Sequence, residues 1–263
     1  MLGAIIGDTA GSVYEWQNVR RKDFGPLFDS KAFYTDDTVC TVAVADALVN
    51  DRHPGEALKD WGRRHWENGG WGGMFARWLM SDSLEPYGSF GNGAAMRVSS
   101  AGLLAQSEEQ AIELAHRVTE VTHNHPEGMK GAAATALAIY LARIGQPAAF
   151  IRLAVTERFG YDLDRTPDDI RPTYRFNETC QETVPQALVC ALVASDFEDA
   201  IRNAISIGGD SDTVAAIAGG VAEALFGVPE QIARKGWDYL PDDMREVLQA
   251  LYKKGGIDIH GHQ

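Results

Sequence analysis

Along this chain the hydrophobic positions recur with a helical period. In "DTVAAIAGGVAEALFG", residues 212–227, Val214, Ile217, Ala218, Val221, Ala222 and Leu225 are spaced three and one apart, which puts them on one face of a helix. Gly227 and Pro229 end it. "TVCTVAVADALVN", residues 38–50, is apolar nearly all round, and such a helix is buried on every side. The same reading predicts helices over roughly 1–14, 54–67, 73–80, 93–105, 108–120, 127–145, 147–158, 180–194, 196–206 and 242–253. No run of alternating β-branched residues suggests a strand. The polar stretch 160–178 reads as the longest loop, and 257–263, ending "HGHQ", as a mobile tail. With no linker and no repeat, the expectation is one all-α domain over 1–263. Gly3, Gly7 and Gly11, four apart, predict a helix face that lets a second backbone approach in the core.

Composition narrows the function. The chain has 263 residues, 45% hydrophobic and 23% charged, which is ordinary for a globular protein. Its formal net charge of -13 repels a phosphate backbone over most of the surface, which argues against a dedicated nucleic-acid binder. A small anionic ligand could still find a local site. Three cysteines, Cys40, Cys180 and Cys190, match no zinc or redox spacing and suit a reducing compartment. No basic leader precedes Asp8, and no apolar run is long enough to span a bilayer, so the cytoplasm is the expected setting.

The chemistry concentrates at two helix starts. "FYTDDTVC" sets Asp36 and Asp37 side by side between Thr35 and Thr38. "GGDSDTVAAI" repeats the device with Asp210, Asp212 and Thr213. Either motif alone reads as a helix cap. A cap, however, uses one side chain, and each motif supplies two acids and a hydroxyl. If the two helix starts converge, four carboxylates share a small volume and cannot all stay ionised without cations. Hard divalent ions bound through oxygen, Mg²⁺, Mn²⁺ or Ca²⁺, would neutralise them. Carboxylates bridging two ions are the architecture of a two-metal hydrolytic site.

Three further segments carry weaker signals. "YGSFGNGAAMRVSS", 87–100, is a glycine-rich turn opening onto a helix, which can present N–H groups to an anion but lacks the lysine of a P-loop. "ENGGWGGMF", 67–75, is a similar glycine cluster. "VTHNHPEG", 121–128, has two histidines with no third soft ligand nearby, so a hydrogen-bonding loop histidine is the plain reading.

Together these stretches resemble the ADP-ribosylglycohydrolase family. The resemblance rests on "GAIIGDTAGSVYE", "TDDT", "GSFGNGAAMR", "THNHP", "ETVPQAL" and "GGDSDTVAAIAGG", which occur in the family's order over roughly residues 3 to 227. It implies a compact single-domain orthogonal helical bundle with two Mg²⁺ or Mn²⁺ ions in a central binuclear metal cleft. By that resemblance Thr35, Asp36, Asp37, Asp210, Asp212 and Thr213 would be the metal ligands, with Asp212 bridging. Asp36, Asp212 and Glu15 would be the catalytic residues, Glu15 sitting on a loop near the metals. Ser89, Phe90, Gly91, Asn92 and Gly93 would line the ADP-ribose pocket, with His123 near the ribose or phosphates. Gly69, Gly70 and Gly72 would meet the diphosphate. The implied activity is metal-dependent cleavage of the bond between ADP-ribose and an acceptor, either an ADP-ribosylated protein or a small conjugate. Two alternatives stay open: a nucleotide phosphohydrolase using the same carboxylates on phosphorus, and a non-catalytic binding or structural protein. The intact acids weigh against the second.

Overall fold

Helix signals dominate the sequence, and the computed structural model, which describes residues 1–257, is built from helices. There are fifteen α-helices and no β-strand among the described residues. In chain order they are α1 (Leu2–Gly11), α2 (Asp36–Val49), α3 (Pro54–Arg64), α4 (Gly73–Met80), α5 (Gly93–Met96), α6 (Ser99–Leu104), α7 (Glu108–Thr119) and α8 (Pro126–Arg143). There follow α9 (Ala148–Phe159), α10 (Pro167–Ile170), α11 (Cys180–Leu192), α12 (Phe197–Ser206), α13 (Ser211–Phe226), α14 (Glu230–Asp238) and α15 (Asp242–Gly255). A 3₁₀ turn, Trp66–Asn68, follows α3. No described helix is long and apolar enough to cross a membrane. Of the tail expected at 257–263, all but Ile257 lies outside the described residues.

The core is one contiguous apolar cluster built around α2, α8, α11 and α13. Helix α2 is buried from Asp37 to Leu48, as its all-round apolar pattern predicts, and α8 is buried from Gly131 to Ala142. Helix α1 lies directly against α13. A Cβ added at Gly3 would stand 2.2 Å from the Gly219 carbonyl oxygen, and one at Gly7 2.0 Å from that of Ala215. At Gly11 it would stand 2.5 Å from the Cα of Asp212. The three glycines are therefore a backbone contact, and they bring the end of α1 against the start of α13.

Four elements differ from the expected pattern. The helix expected over 93–105 is two, because Arg97 and Val98 adopt the bridge conformation (φ -96°, ψ -1° and φ -93°, ψ 9°). The one expected over 54–67 stops at Arg64, with the 3₁₀ turn taking up its end. Inside the loop 160–178, Thr166 and Asp169 form a reciprocal capping box that starts the one-turn α10. The segment after Pro229 forms α14, which is strongly amphipathic, with Ile232, Ala233, Gly236 and Trp237 on one face, and which the expected helices left out; it packs Gly236 onto Ile6 of α1.

Candidate functional site

The start of α2 is held by a residue that the sequence reading did not single out. Asp8 is fully buried in α1. Its Oδ1 accepts from the Thr35 hydroxyl at 2.8 Å. Its Oδ2 accepts from the Thr35 N–H at 2.9 Å, the Thr38 N–H at 3.1 Å and the Thr38 hydroxyl at 2.5 Å. Both threonines of "TDDT" are thus tied to one carboxylate. Thr35 is the N-cap, its Oγ1 accepting from the Asp37 N–H at 3.2 Å. Asp36 and Asp37 cap nothing. The one signal for Asp8 in the sequence is an acid inside the otherwise apolar "GAIIGDTAG".

The start of α13 is shaped by backbone. Gly208 and Gly209 have φ of +74° and +80°, a conformation that side chains resist. Asn18 clamps this turn, donating to the Gly209 carbonyl at 2.9 Å and accepting from its N–H at 2.8 Å. Asp210 occupies the N-cap position without a side-chain cap bond. Its Oδ2 instead accepts from the Asn92 amide at 2.7 Å. Asp212 Oδ1 accepts from the Thr213 N–H at 2.9 Å.

The two starts converge. Ligand oxygens of Glu15, Asp210 and Asp212 lie within 4.8 Å of one another. Asp36 and Asp37 face the same volume, and the Asp210 charge acts on both. Burial first, then neighbouring acids, push Asp37 and Asp212 well above the usual carboxylate range. Burial also raises Asp210, although hydrogen bonds partly offset it. Burial and the Asp8 charge raise Asp36 to about 6, and burial with the Asp210 charge raises Glu15 to about 7. Burial raises Asp8 to about 6 despite its four hydrogen bonds. No lysine, arginine or histidine is among the leading influences on these acids. One buried oxygen, Asp37 Oδ2, has no hydrogen-bond partner among the described residues. A buried carboxylate oxygen without a donor, among acids without a counter-charge, fits an oxygen-bound divalent cation.

All of these acids except Asp8 line a cleft of about 580 Å³, larger than the surface hollows beside Arg20 and Lys59 of about 390 and 430 Å³. Every candidate residue from the sequence borders it. Thr35, Asp36, Asp37, Asp210, Asp212, Thr213 and Glu15 form the acidic side. Gly69, Gly70 and Gly72 border it from the segment before α4, and the Gly70 N–H is already donated to Asp36 Oδ1 at 2.9 Å. Ser89, Phe90, Gly91, Asn92, Gly93 and His123 form a further wall. That wall is pinned to the end of the 160–178 loop by Asn92 N–H to Glu178 carbonyl at 2.7 Å, and to the start of α11 by Cys180 N–H to Phe90 carbonyl at 2.9 Å. Phe90 is half exposed and its ring lies 5.1 Å from that of His125. Sequence reasoning missed Asp8, Trp16, Phe33, Tyr87, Arg97 and Glu178; all but Asp8 line the cleft. Trp16 stacks on Phe176 at 5.1 Å, and that aromatic pair is joined only by the fold, not by spacing.

Residues 1–258 match the pattern of the ADP-ribosylglycohydrolase family. Human ADP-ribosylhydrolase ARH3 is 27% identical over 96% of this chain and 92% of its own length. ADP-ribosylarginine hydrolase Tri1 of Pseudomonas putida (strain GB-1) is 26% identical over 97% of this chain and 77% of its own. Among solved structures, a chain described as an ADP-ribosylglycohydrolase-related protein complex superposes with a TM-score of 0.70 at 23% identity, covering 97% of both chains, a likeness of fold.

Proposed function

The chain belongs to the ADP-ribosylglycohydrolase family, and from that membership we propose that it hydrolyses the glycosidic bond between ADP-ribose and an acceptor, releasing ADP-ribose. The acceptor would be an ADP-ribosylated protein side chain of the arginine or serine type, or a small ADP-ribose conjugate. The observation that carries the reading is the convergence of "TDDT" and "GGDSDT" in one cleft, with Asp37 Oδ2 left without a donor. Relatives named for ADP-ribosyl hydrolysis support it.

Divalent cations, two Mg²⁺ or Mn²⁺ ions, would be held by Thr35, Asp36, Asp37, Asp210, Asp212 and Thr213, and would polarise the ribose hydroxyls and lower the pKa of water. Thr35 suits this role: its proton goes to Asp8 and one lone pair to the Asp37 N–H, which leaves the other lone pair free. Hydrolysis at the anomeric carbon develops oxocarbenium character, which buried carboxylates stabilise. Asp36 or Asp212 takes the proton of the attacking water. Glu15, half-buried beside Asp210 and Asp212, positions the distal ribose or gates the site. The Ser89–Gly93 turn, His123 and the Gly69–Gly72 segment contact the ADP-ribose. Phe90, half exposed, offers a face for stacking. A cytoplasmic setting suits three buried free thiols.

The test uses purified protein with and without Mg²⁺ or Mn²⁺ on two substrates, one ADP-ribosylated on arginine and one on serine, with mass spectrometry for free ADP-ribose. Metal-dependent release supports the reading and settles the linkage. Release of AMP or phosphate instead would move the chemistry to phosphorus and overturn it.

A further inference from the structure

Arg97 is 1% exposed, the largest fully buried side chain among the described residues, yet it borders the cleft. Among the described residues it forms no ion pair, and the ionisable groups acting on it most are the thiols of Cys40 and Cys180 and the phenol of Tyr87. Its Nε has no hydrogen-bond partner among them. Burying a guanidinium without a carboxylate is costly, and a well-packed apolar residue would avoid that cost. The bonds it does make are specific. Nη2 donates to the Thr122 hydroxyl at 2.5 Å and meets His123 Nδ1 at 3.3 Å. The Thr122 oxygen lies 2.8 Å from the same Nδ1.

Donor logic then fixes a tautomer. A guanidinium only donates. The Thr122 oxygen therefore accepts from Nη2, and because Nη2 also lies against His123 Nδ1 at 3.3 Å, Nδ1 has to accept as well, which leaves the Thr122 hydroxyl to donate across its 2.8 Å contact with that nitrogen. A proton on Nδ1 would face both that O–H and the Arg97 N–H, so Nδ1 accepts and the imidazole proton sits on Nε2. Burial, then the Arg97 charge, also hold His123 well below its usual range, so the ring stays neutral. Nε2 makes no hydrogen bond among the described residues. It borders the glycine wall, where a Cβ on Gly91 or Gly93 would stand 3.5 or 3.4 Å from it.

We infer that Arg97 is a positioning residue that acts through Thr122 to hold His123 as the neutral Nε2–H imidazole, a fixed donor for an acceptor oxygen of the bound ligand. The identity of that ligand as ADP-ribose rests on the function proposed above; the tautomer does not.

The test is nitrogen NMR of the ¹⁵N-labelled full chain, without ligand or metal, with His123→Gln assigning the ring among seven histidines. The expected result is an unprotonated Nδ1 and a protonated Nε2, with no titration near pH 6.5, where an unperturbed histidine titrates. Arg97→Met should give a mixture of tautomers and a His123 that titrates higher. It should also weaken ADP-ribose binding, read by calorimetry, about tenfold, the worth of one hydrogen bond. Arg97→Lys, which keeps the charge without the fork, should fall between. Thr122→Val, nearly isosteric, covers the case in which Arg97→Met fails to fold: its Nδ1 resonance should move and binding should weaken. A wild-type ring protonated on Nδ1 or on both nitrogens at neutral pH would overturn the inference. So would a folded Arg97→Met, or Thr122→Val in its stead, with wild-type His123 resonances and affinity. If wild-type protein binds no ADP-ribose, the ligand reading falls. The ligand-free spectra then decide the role of Arg97 by themselves.

Discussion

The two acidic helix starts carry nearly the same letters and are built by different means. At α2, side chains do the work: Thr35 caps the helix, and Asp8 gathers Thr35 and Thr38 through four hydrogen bonds. At α13, backbone does it: a Gly208–Gly209 turn at positive φ, clamped by Asn18, sets Asp210 at the N-cap position with its side chain on Asn92 instead of on the helix end. In neither motif does an acid supply the N-cap side-chain bond, although Asp212 Oδ1 accepts the first-turn N–H of Thr213. Once capping is met elsewhere or forgone, Asp36, Asp37, Asp210 and Asp212 are left facing one volume, and this is what separates a metal-site reading from an ordinary pair of helix termini.

The comparison can be broken in order of severity. Asp212→Ala removes a buried acid proposed as a metal ligand. Activity should fall to background, well beyond the roughly 100-fold ceiling for losing a supporting residue, and calorimetry should show metal binding lost. Full activity would sink the assignment. Asp8→Asn keeps the ligand acids and disturbs only what holds α2. Metal affinity should fall about 10- to 100-fold while the fold persists by circular dichroism. Asn92→Ala is its counterpart at α13, removing one bond to Asp210. It should cost about tenfold in metal affinity, because a single bond to a charged group is worth about 1.5 kcal/mol. Equal losses from Asp8→Asn and Asn92→Ala would mean that the two starts are supported alike, contrary to their geometry.

Much of this was legible in the sequence because the signals were local. Helix period, the glycine spacing of α1 and the two Thr–Asp motifs are short-range patterns, and each of them is found in the fold. What escaped the reading depends on contacts distant in sequence. Asp8 meets Thr35 and Thr38 across 27 and 30 residues, and Asn92 meets Asp210 across 118. Arg97 looks like an ordinary helical residue until the bridge conformation at 97–98 turns it inward to Thr122 and His123. The exceptions are α10, whose Thr166–Asp169 capping box was present in the letters, and α14, whose amphipathic spacing was too; both went unread.

The mildest test compares the acids with and without their counter-charge. From ordinary values of 3.8, 3.8 and 4.5, Asp8, Asp36 and Glu15 are raised to about 6, 6 and 7 in the folded chain. The folded protein without metal therefore binds more protons than the unfolded chain across this window. Its stability must fall as pH rises from about 4 to 7, since stability rises with pH only where the unfolded state holds more protons. Divalent cations compete with those protons. At pH 8 the acids are ionised and Mg²⁺ or Mn²⁺ should raise the melting temperature by about 5 °C at concentrations well above Kd. At pH 5 protons occupy the site and the rise should shrink to about 1 °C. Asp37→Asn, which removes the acid bearing the orphan oxygen, should flatten the difference between the two pH values. A metal-induced shift of equal size at pH 5 and pH 8 would mean that the ions bind elsewhere, and the convergence of the two helix starts would then need another explanation.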